Sequence, residues 1–578
     1  MGTTTVTTGP GQSHDSAGEP HTPGLSRRRA LGLGGAAFAA LPFLAACSAA
    51  AGGSGSSSGG GASSRSGASA SGGTGGSGKS VTVGIASPPD TLDPGATGLA
   101  LTLFLSFTMF DPLVWWLPTA SGSAYYPGLA TSYTVSPDAT TYTFKLRTGV
   151  TFHDGTVFDA AAVKATYDHV VDPATKSRSG LGALGPYKET KILDSHTCQI
   201  IFTQPNAGFL HQQAAGNFGI ASPTALKKYG PTGFGNHPVG TGPFVFGEYQ
   251  SGDHLTVTRN PKYTWGPPVL GTSGPAALEK ITFKVLADDS GRYNALQSGQ
   301  IQLAMSLPPN VLATVIKAGT FDQYTLPSIG TPSGLPINVT KPPTDDLRVR
   351  QAIQYAVDQD TLVNQVLFGT YKAAHSVLTP TTPGYSAASA KLYSYDPAKA
   401  RSLLAAAGWA GETGTRKKAG QDLHLDLLYY TGGGLDVPMQ FIGAELEKVG
   451  FSVTTNSGPF TSVATSFNKG AQNLAAFGYF GTDPYLLNIW VNSDAIKSGF
   501  NWSHYANPKV DAAIAKANAT AADASRNAQY EAVCLTLMQD AMYLPLWDVN
   551  FPFTAVKGLT GLKPTLNAYE LFNAAQLT

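Results

Sequence analysis

Apolar residues recur along this chain with one of two periods, and the changes between them mark its elements. From Thr141 to Leu146, Tyr142, Phe144 and Leu146 point one way and Thr143 and Lys145 the other, the pattern of a half-buried strand. Thr148-Gly149 turns the chain, Val150 to Phe152 predicts a second short strand, and His153-Asp154-Gly155-Thr156 a polar turn in which Gly155 takes positive φ. Asp159 is placed to cap a helix whose Val163, Tyr167 and Val170 fall at i, i+4 and i+7. Earlier, Val81 to Ile85 reads as a strand, Thr91-Leu92-Asp93-Pro94 as a turn and Leu99 to Phe110 as an apolar helix. Later come a strand at Cys198 to Phe202, helical segments near Phe209 and Pro223, and the alternation of Leu255, Val257 and Arg259 with Thr256 and Thr258.

The second half keeps this habit. Arg292 to Leu303 reads as a helix, a Ser-Gly stop and a short strand. Asp345 to Asp358 is a capped helix with Val349, Ile353 and Ala356 on one face. Asp396 caps another, Pro397 takes its first position and Gly408 ends it, leaving Ala400, Leu403, Leu404 and Ala407 as the buried stripe. Leu425 to Tyr430, a helix from Met439 and Phe451 to Val453 form a β-α-β unit. The fold class is therefore α/β with mixed sheets.

Length makes this more than one core. At 578 residues at least two lobes are expected. Charged residues are 13% of the chain and the net charge is +1, with no basic run suited to nucleic acid. The 24 Tyr, 27 Phe and 7 Trp supply cores first and a ligand-stacking surface second.

Ahead of the folded body lies an export signal. Arg27-Arg28-Arg29 precedes an apolar run from Leu31 to Ala46, shorter than the ~20 residues that span a bilayer. It ends in Leu44-Ala45-Ala46-Cys47, which resembles a bacterial lipobox and implies that Cys47 carries the lipid of a mature lipoprotein. The paired arginines resemble a twin-arginine signal, but Ala30 departs from it and the export route stays open. Ser48 to Lys79 is a Gly/Ser/Ala linker with an r.m.s. reach of about 30 Å. Gly73 to Ser80 matches a P-loop in spelling alone. A coil precedes it and a strand follows, so no helix N-terminus meets the phosphate.

The block YTFKLRTGVTFHDG (142–155) with its capped helix, the later Pro238-Val239-Gly240-Thr241-Gly242-Pro243-Phe244 followed by Arg259-Asn260-Pro261-Lys262-Tyr263, Arg292–Leu303, and the Asp345–Asp358 helix occur in the order of one family. Together they resemble the peptide/nickel-type solute-binding proteins, family 5, of bacterial ABC importers. The resemblance implies a two-lobed, type II binding-protein fold with hinge crossings. It places lobe I at 80–330 and 545–578, an accessory subdomain at about 126–237, and lobe II at 331–544. The crossings are expected near Leu326–Gly334 and Met542–Trp547, where Pro545 breaks the preceding helix.

By the same resemblance the protein is no enzyme, needs no cofactor and acts as a monomer, lipid-anchored to the outer face of the cytoplasmic membrane, with a small solute and ABC permease subunits as partners. No H-E-x-x-H, G-x-S-x-G or Cys/His metal cluster is present. A metal chelate, carried by some relatives, stays open, as does a disulfide between Cys198 and Cys534. Peptide-binding relatives carry, in a tryptophan-containing loop, an aspartate that pairs with the peptide amine. Here Phe477 to Pro484 is shorter, and Tyr479 and Phe480 stand where that acid would be. Asp483-Pro484 is kept. This departure favours a neutral or modified solute, such as an oligosaccharide or a modified peptide, over one with a free N-terminus. Asp483 as a helix start with the aromatics in the core is the competing reading. Trp502, Tyr430 at a strand's carboxyl end and Trp115 complete the candidate contacts. Arg348 and Arg350 suit an anion but more readily structural ion pairs. A secreted hydrolase on this scaffold and a sensor lipoprotein without a permease are the alternative functions.

Overall fold

The computed structural model describes residues 79–578 apart from 120–121, 326–328, 432–433, 480, 482, 499, 522, 549 and 567–569. The expected signal, Cys47, most of the linker and Phe480 lie outside the described residues. Among the described residues, a seven-stranded sheet runs in the order Asp322–Tyr324, Phe553–Ala555, Leu303–Met305, Ser80–Ile85, Lys280–Val285, His254–Arg259, Phe244–Gln250. Ser80–Ile85 is parallel to both its neighbours, whereas Phe553–Ala555 and the His254–Arg259 hairpin are antiparallel to theirs. The chain's last part thus completes the sheet begun by its first strand. Val81, Val83 and Ile85 reach a core in which Phe104, from the helix Ala100–Met109, lies 5.8 Å from Phe283 and 5.2 Å from Phe553.

A four-stranded antiparallel sheet, Ala130–Val135, Thr141–Leu146, Thr197–Phe202 and Tyr187–Asp194, forms the second layer of this half. Tyr142, Phe144 and Leu146 are buried, as their period requires, in a core shared with Val163, Tyr167 and Val170 of the helix Ala160–Val171. Asp159 accepts hydrogen bonds from Ala161 N and Ala162 N and caps that helix. Val150–Phe152 is not a strand. Thr151 makes a single bridge to Val157, because the chain reverses at once through Phe152 to Gly155 (φ 86°).

That reversal ties three sequence blocks together. His153 N donates to Gly240 O and its ring Nε2 lies 3.0 Å from Gly242 O, and Asn260 Nδ2 donates to the same Gly242 carbonyl. Beside them Asp111 accepts from Thr241 Oγ1 (2.8 Å), Tyr263 OH (2.9 Å) and Trp265 Nε1 (3.0 Å). These family motifs are joints between layers. Burial holds the His153 ring neutral, lowered to about 4.

The second half centres on a three-stranded sheet, Ser452–Gly458, His424–Tyr430, Leu474–Ala475, all parallel. The helix between the first two in sequence begins at Asp436, earlier than Met439. Leu347–Ala356, capped by Asp346, and Pro397–Ala406, capped by Asp396, pack against it with Val349, Ile353, Ala356, Ala400 and Leu404 buried. Arg348 pairs with Asp346, and Arg350 donates to the carbonyls of Thr344, Asp345 and Asp540, so both arginines are structural.

Met542–Trp547, expected as a crossing where Pro545 breaks the preceding helix, is largely a strand, Tyr543–Asp548, buried throughout, and the helix before it has already ended at Gln539. It pairs with Ser333–Pro336 on one side and Lys372–Ala373 on the other. Pro545 survives in a central strand because the pairing is irregular between Ser333 and Gly334, opposite it. The two segments expected to cross therefore run side by side. Cys198, in the four-stranded sheet, and Cys534, on the helix Asp523–Gln539, are buried and free, so the disulfide is not formed.

Glu570 gives the fold a measurable pH response. It is 3% exposed with Oε2 unpartnered, and burial raises its carboxyl from 4.5 to about 7. The folded form therefore holds the proton more tightly than the unfolded chain, and this contribution is full below about pH 4.5 and lost as pH rises through 7. Glu570→Gln is expected to abolish it, so that urea titrations at pH 4.5 and 8 show the wild type losing on the order of 2–3 kcal/mol relative to the variant.

Candidate functional site

Parallel strands leave their sheet at the same edge, and here each exit carries an aromatic ring. Tyr430 ends His424–Tyr430, Phe460 follows Ser452–Gly458 across Pro459, and Phe477 lies two residues beyond Leu474–Ala475. Register aligns Tyr430 with Gly458, so the exits lie side by side. Phe460 stacks on Phe477 (5.8 Å, 26°), and Tyr430 meets both edge-on at 5.8 and 6.4 Å. Phe460 is 45% exposed and Phe500, beside Trp502, is 40% exposed, large apolar faces that a monomer ordinarily buries. This carboxyl edge is where open α/β sheets bind ligands.

Behind the exposed rings lies a buried aromatic layer. Trp502 touches Phe477 at 4.6 Å and donates through Nε1 to Asn468 Oδ1. Tyr479 stacks on Trp490 (4.7 Å, 5°) and donates its hydroxyl to Phe500 O. Of the residues named from sequence, Tyr430 stands at the open edge, while Tyr479 and Trp502 are its buried support. Phe460 and Phe477 were missed, although the strand-end argument that singled out Tyr430 applies to both.

Asp483 does something different. Its carboxylate is 2% exposed and takes both guanidinium nitrogens of Arg526, Nη1 at 2.7 Å and Nη2 in a close pair. Tyr485 N donates to Oδ1, and His211 Nδ1 lies 2.5 Å from Oδ2. Burial alone would raise this acid, but the Arg526 charge and the His211 hydrogen bond more than offset it and hold it well below the usual carboxylate range. Arg526 is raised in return, burial being outweighed by Asp483. An acid so engaged is a structural counter-ion, and its hydrogen-bonding capacity is taken.

His211 comes from the other half of the molecule, on the helix Phe209–Gln213 beneath the four-stranded sheet. Trp116 (3.9 Å) and Tyr125 (5.3 Å), paired across the strands Val114–Thr119 and Gly122–Pro127, both pack against its ring. Nearby, Ala207 N donates to Asn518 O, so the halves also meet through backbone. Trp115, the sequence candidate, lies instead in the first core, 2% exposed and stacked on Phe107 at 5.6 Å. Strand alternation sends the two tryptophans to opposite faces, and Trp116 is the one at the junction. Neither His211 nor Arg526 carries a sequence signal for this role, since His211 is 272 residues from Asp483.

The first crossing is fastened beside these groups. Thr331 exchanges hydrogen bonds with Tyr479, N to O at 3.0 Å and Tyr479 N to Thr331 Oγ1 at 2.6 Å. Gly330, at φ 120°, has no room for a side chain, because an added Cβ would sit 2.9 Å from Tyr479 O.

A family model, "Bacterial extracellular solute-binding proteins, family 5 Middle", matches residues 124–498. The chain is 30% identical over 495 residues to the glutathione-binding protein GsiB of Shigella dysenteriae, covering 84% of this chain and 91% of that one, and equally identical to GsiB of Escherichia coli K12. Its fold is similar to that of NikA from Brucella suis in complex with Fe(III)-EDTA, with a TM-score of 0.75, 28% identity, and coverage of 86% of this chain and 100% of that one. The oligopeptide-binding protein AppA from Bacillus subtilis, in complex with a nonapeptide, superposes with a TM-score of 0.71 at 21% identity over 85% of this chain and 97% of its own. The two-lobed α/β fold is common to these proteins, and the chain belongs to the bacterial extracellular solute-binding proteins, family 5, a binding protein of ABC importers and not an enzyme.

Proposed function

We propose that this protein captures a small solute against the aromatic edge at Tyr430, Phe460 and Phe477 and delivers it to an ABC permease by closing its lobes. The observation that carries this is the cluster of rings at three parallel strand exits, Phe460 exposed and Tyr430 and Phe477 half-buried beside it, in a family of solute-binding proteins. The favoured solute is a modified peptide, with an oligosaccharide as the second reading. Support comes from relatives named as glutathione-binding, from rings able to stack on planar amides or sugar faces, and from Asp483, whose engagement by Arg526 and His211 leaves it unsuited to a peptide's terminal ammonium. Glutathione, with its γ-linked glutamyl residue, is itself a modified peptide and is the first probe.

Closure draws on the contact between His211 and Asp483. Solute touching both lobes shifts an open–closed equilibrium, and a buried pair made across the lobes adds to the closed side. We assign 80–330 with 545–578 to lobe I, about 126–237 of it to the accessory subdomain, and 331–544 to lobe II. The adjoining strands Ser333–Pro336 and Tyr543–Asp548 are the flexing region. Outside the cytoplasm the body hangs from lipid on Cys47 by the Gly/Ser/Ala linker, as a monomer.

Calorimetry of the body from Ser80 on against glutathione, alanine peptides and maltotriose decides the solute class, and binding by none of them refutes the peptide and sugar readings together. Phe460→Ala, at an exposed position, is expected to weaken the tightest of these by about tenfold, a loss of roughly 1.4 kcal/mol, with the thermal midpoint unchanged. His211→Phe keeps the stacking on Trp116 and Tyr125 but removes the hydrogen bond to Asp483. Spin labels on the two lobes are expected to report a wider separation in this variant, and identical distance distributions would refute the closure role. Cys47→Ala is expected to move the protein from the membrane fraction to the medium, read by fractionation and immunoblot.

A further inference from the structure

The strand Tyr543–Asp548 ends on a buried carboxylate. Asp548 is 7% exposed, and its Oδ1 is buried with no hydrogen-bond partner among the described residues. Lys372, opposite it in the strand register, acts on it only through its longer-range field. Two residues on, Asn550 donates from Nδ2 to Thr370 O while its own Oδ1 is buried and unpartnered as well. Two buried acceptor oxygens thus lie two residues apart in the chain, and among the described residues no donor meets either.

A carboxylate left this way is held toward its neutral form unless something supplies the charge. Burial accordingly raises its carboxyl from 3.8 to about 6, with Lys372 opposing. Asp111, equally buried, shows the structural alternative, since it accepts from Thr241, Tyr263 and Trp265. Asp483 has Arg526 and His211. Asp548 has neither solution.

Its place in the fold joins it to the proposed site. The strand it ends is paired with Ser333–Pro336, so it stands where the chain passes from the second half back to the seven-stranded sheet at Phe553–Ala555. Ser333–Pro336 is antiparallel to Tyr543–Asp548 on one side and, through the bridges Gly334–Phe477 and Ile337–Leu474, antiparallel to Leu474–Ala475 on the other. Tyr543–Asp548 therefore runs in the same direction as His424–Tyr430, and Asp548 ends it toward the edge that carries the rings.

We propose that Asp548, with Asn550, receives a protonated amino group of the bound solute. This deepens the reading of the site as one for a modified peptide and rests on it. The amine that Asp483 is unable to take is met at the crossing instead, and its three N–H donors match the two unpartnered oxygens. The solute class is then an amine-bearing one whose flat or apolar remainder lies along Tyr430, Phe460 and Phe477.

The test compares paired probes by calorimetry at pH 7.5: glutathione with N-acetyl-glutathione, and trialanine with N-acetyl-trialanine. The wild type is expected to favour the free amine of the binding pair by about tenfold or more. Asp548→Asn, which keeps shape and loses charge, is expected to erase that preference, and Asn550→Ala to reduce it, with thermal midpoints confirming that both variants fold. Equal affinity for amine and acetyl partners, or a preference that survives Asp548→Asn, overturns the assignment while leaving the solute-binding reading intact. Absence of binding by both pairs overturns the peptide reading and this assignment together.

Discussion

A carboxylate placed out of water must be answered, and at Asp483 the answer comes from both halves of the molecule. Arg526 meets it from the helix Asp523–Gln539 and His211 from beneath the four-stranded sheet. In a low-dielectric setting such a pair is strong only with good geometry. The geometry here is supplied by Trp116 and Tyr125, which fix the imidazole. The contact between the halves at this point depends on that arrangement, and so does the shape of whatever space a solute enters.

Around this contact the site divides by chemistry. The aromatic edge offers area and flatness but little direction, because rings at Tyr430, Phe460 and Phe477 accept many planar partners. Direction comes from charge, and the charges are unequally available. Asp483 is satisfied within the protein, whereas Asp548 is not. A binding protein gains solute specificity by holding one buried acceptor in reserve, since a solute without the matching donor leaves it unpaired.

Much of the molecule was legible in the order of its residues. The helix after Asp159, the Asp346 and Asp396 caps and the parallel β-α-β unit follow from short-range periodicity and capping, which involve neighbours a few residues apart. Tyr430 is singled out by sequence because a strand's carboxyl end is a local fact. Val150–Phe152 failed as a strand because bridging Thr151 to Val157 leaves no length for a ladder. Met542–Trp547 is legible in sequence only as a crossing where Pro545 breaks a helix; that it is a strand depends on the irregular pairing opposite Gly334, which accommodates the proline.

The sequence by itself determined the α/β class, most helix starts and the family, all of which depend on local pattern and on motif order. The tertiary structure alone decided the fate of the charges. Whether an aspartate is a ligand contact, a joint or an ion-pair partner depends on what lies within about 3 Å of it, and those neighbours come from distant parts of the chain. Asp111, Asp483 and Asp548 look alike in sequence. One is satisfied by three neutral donors, one by an arginine and a histidine, and one keeps a buried oxygen that no described residue meets.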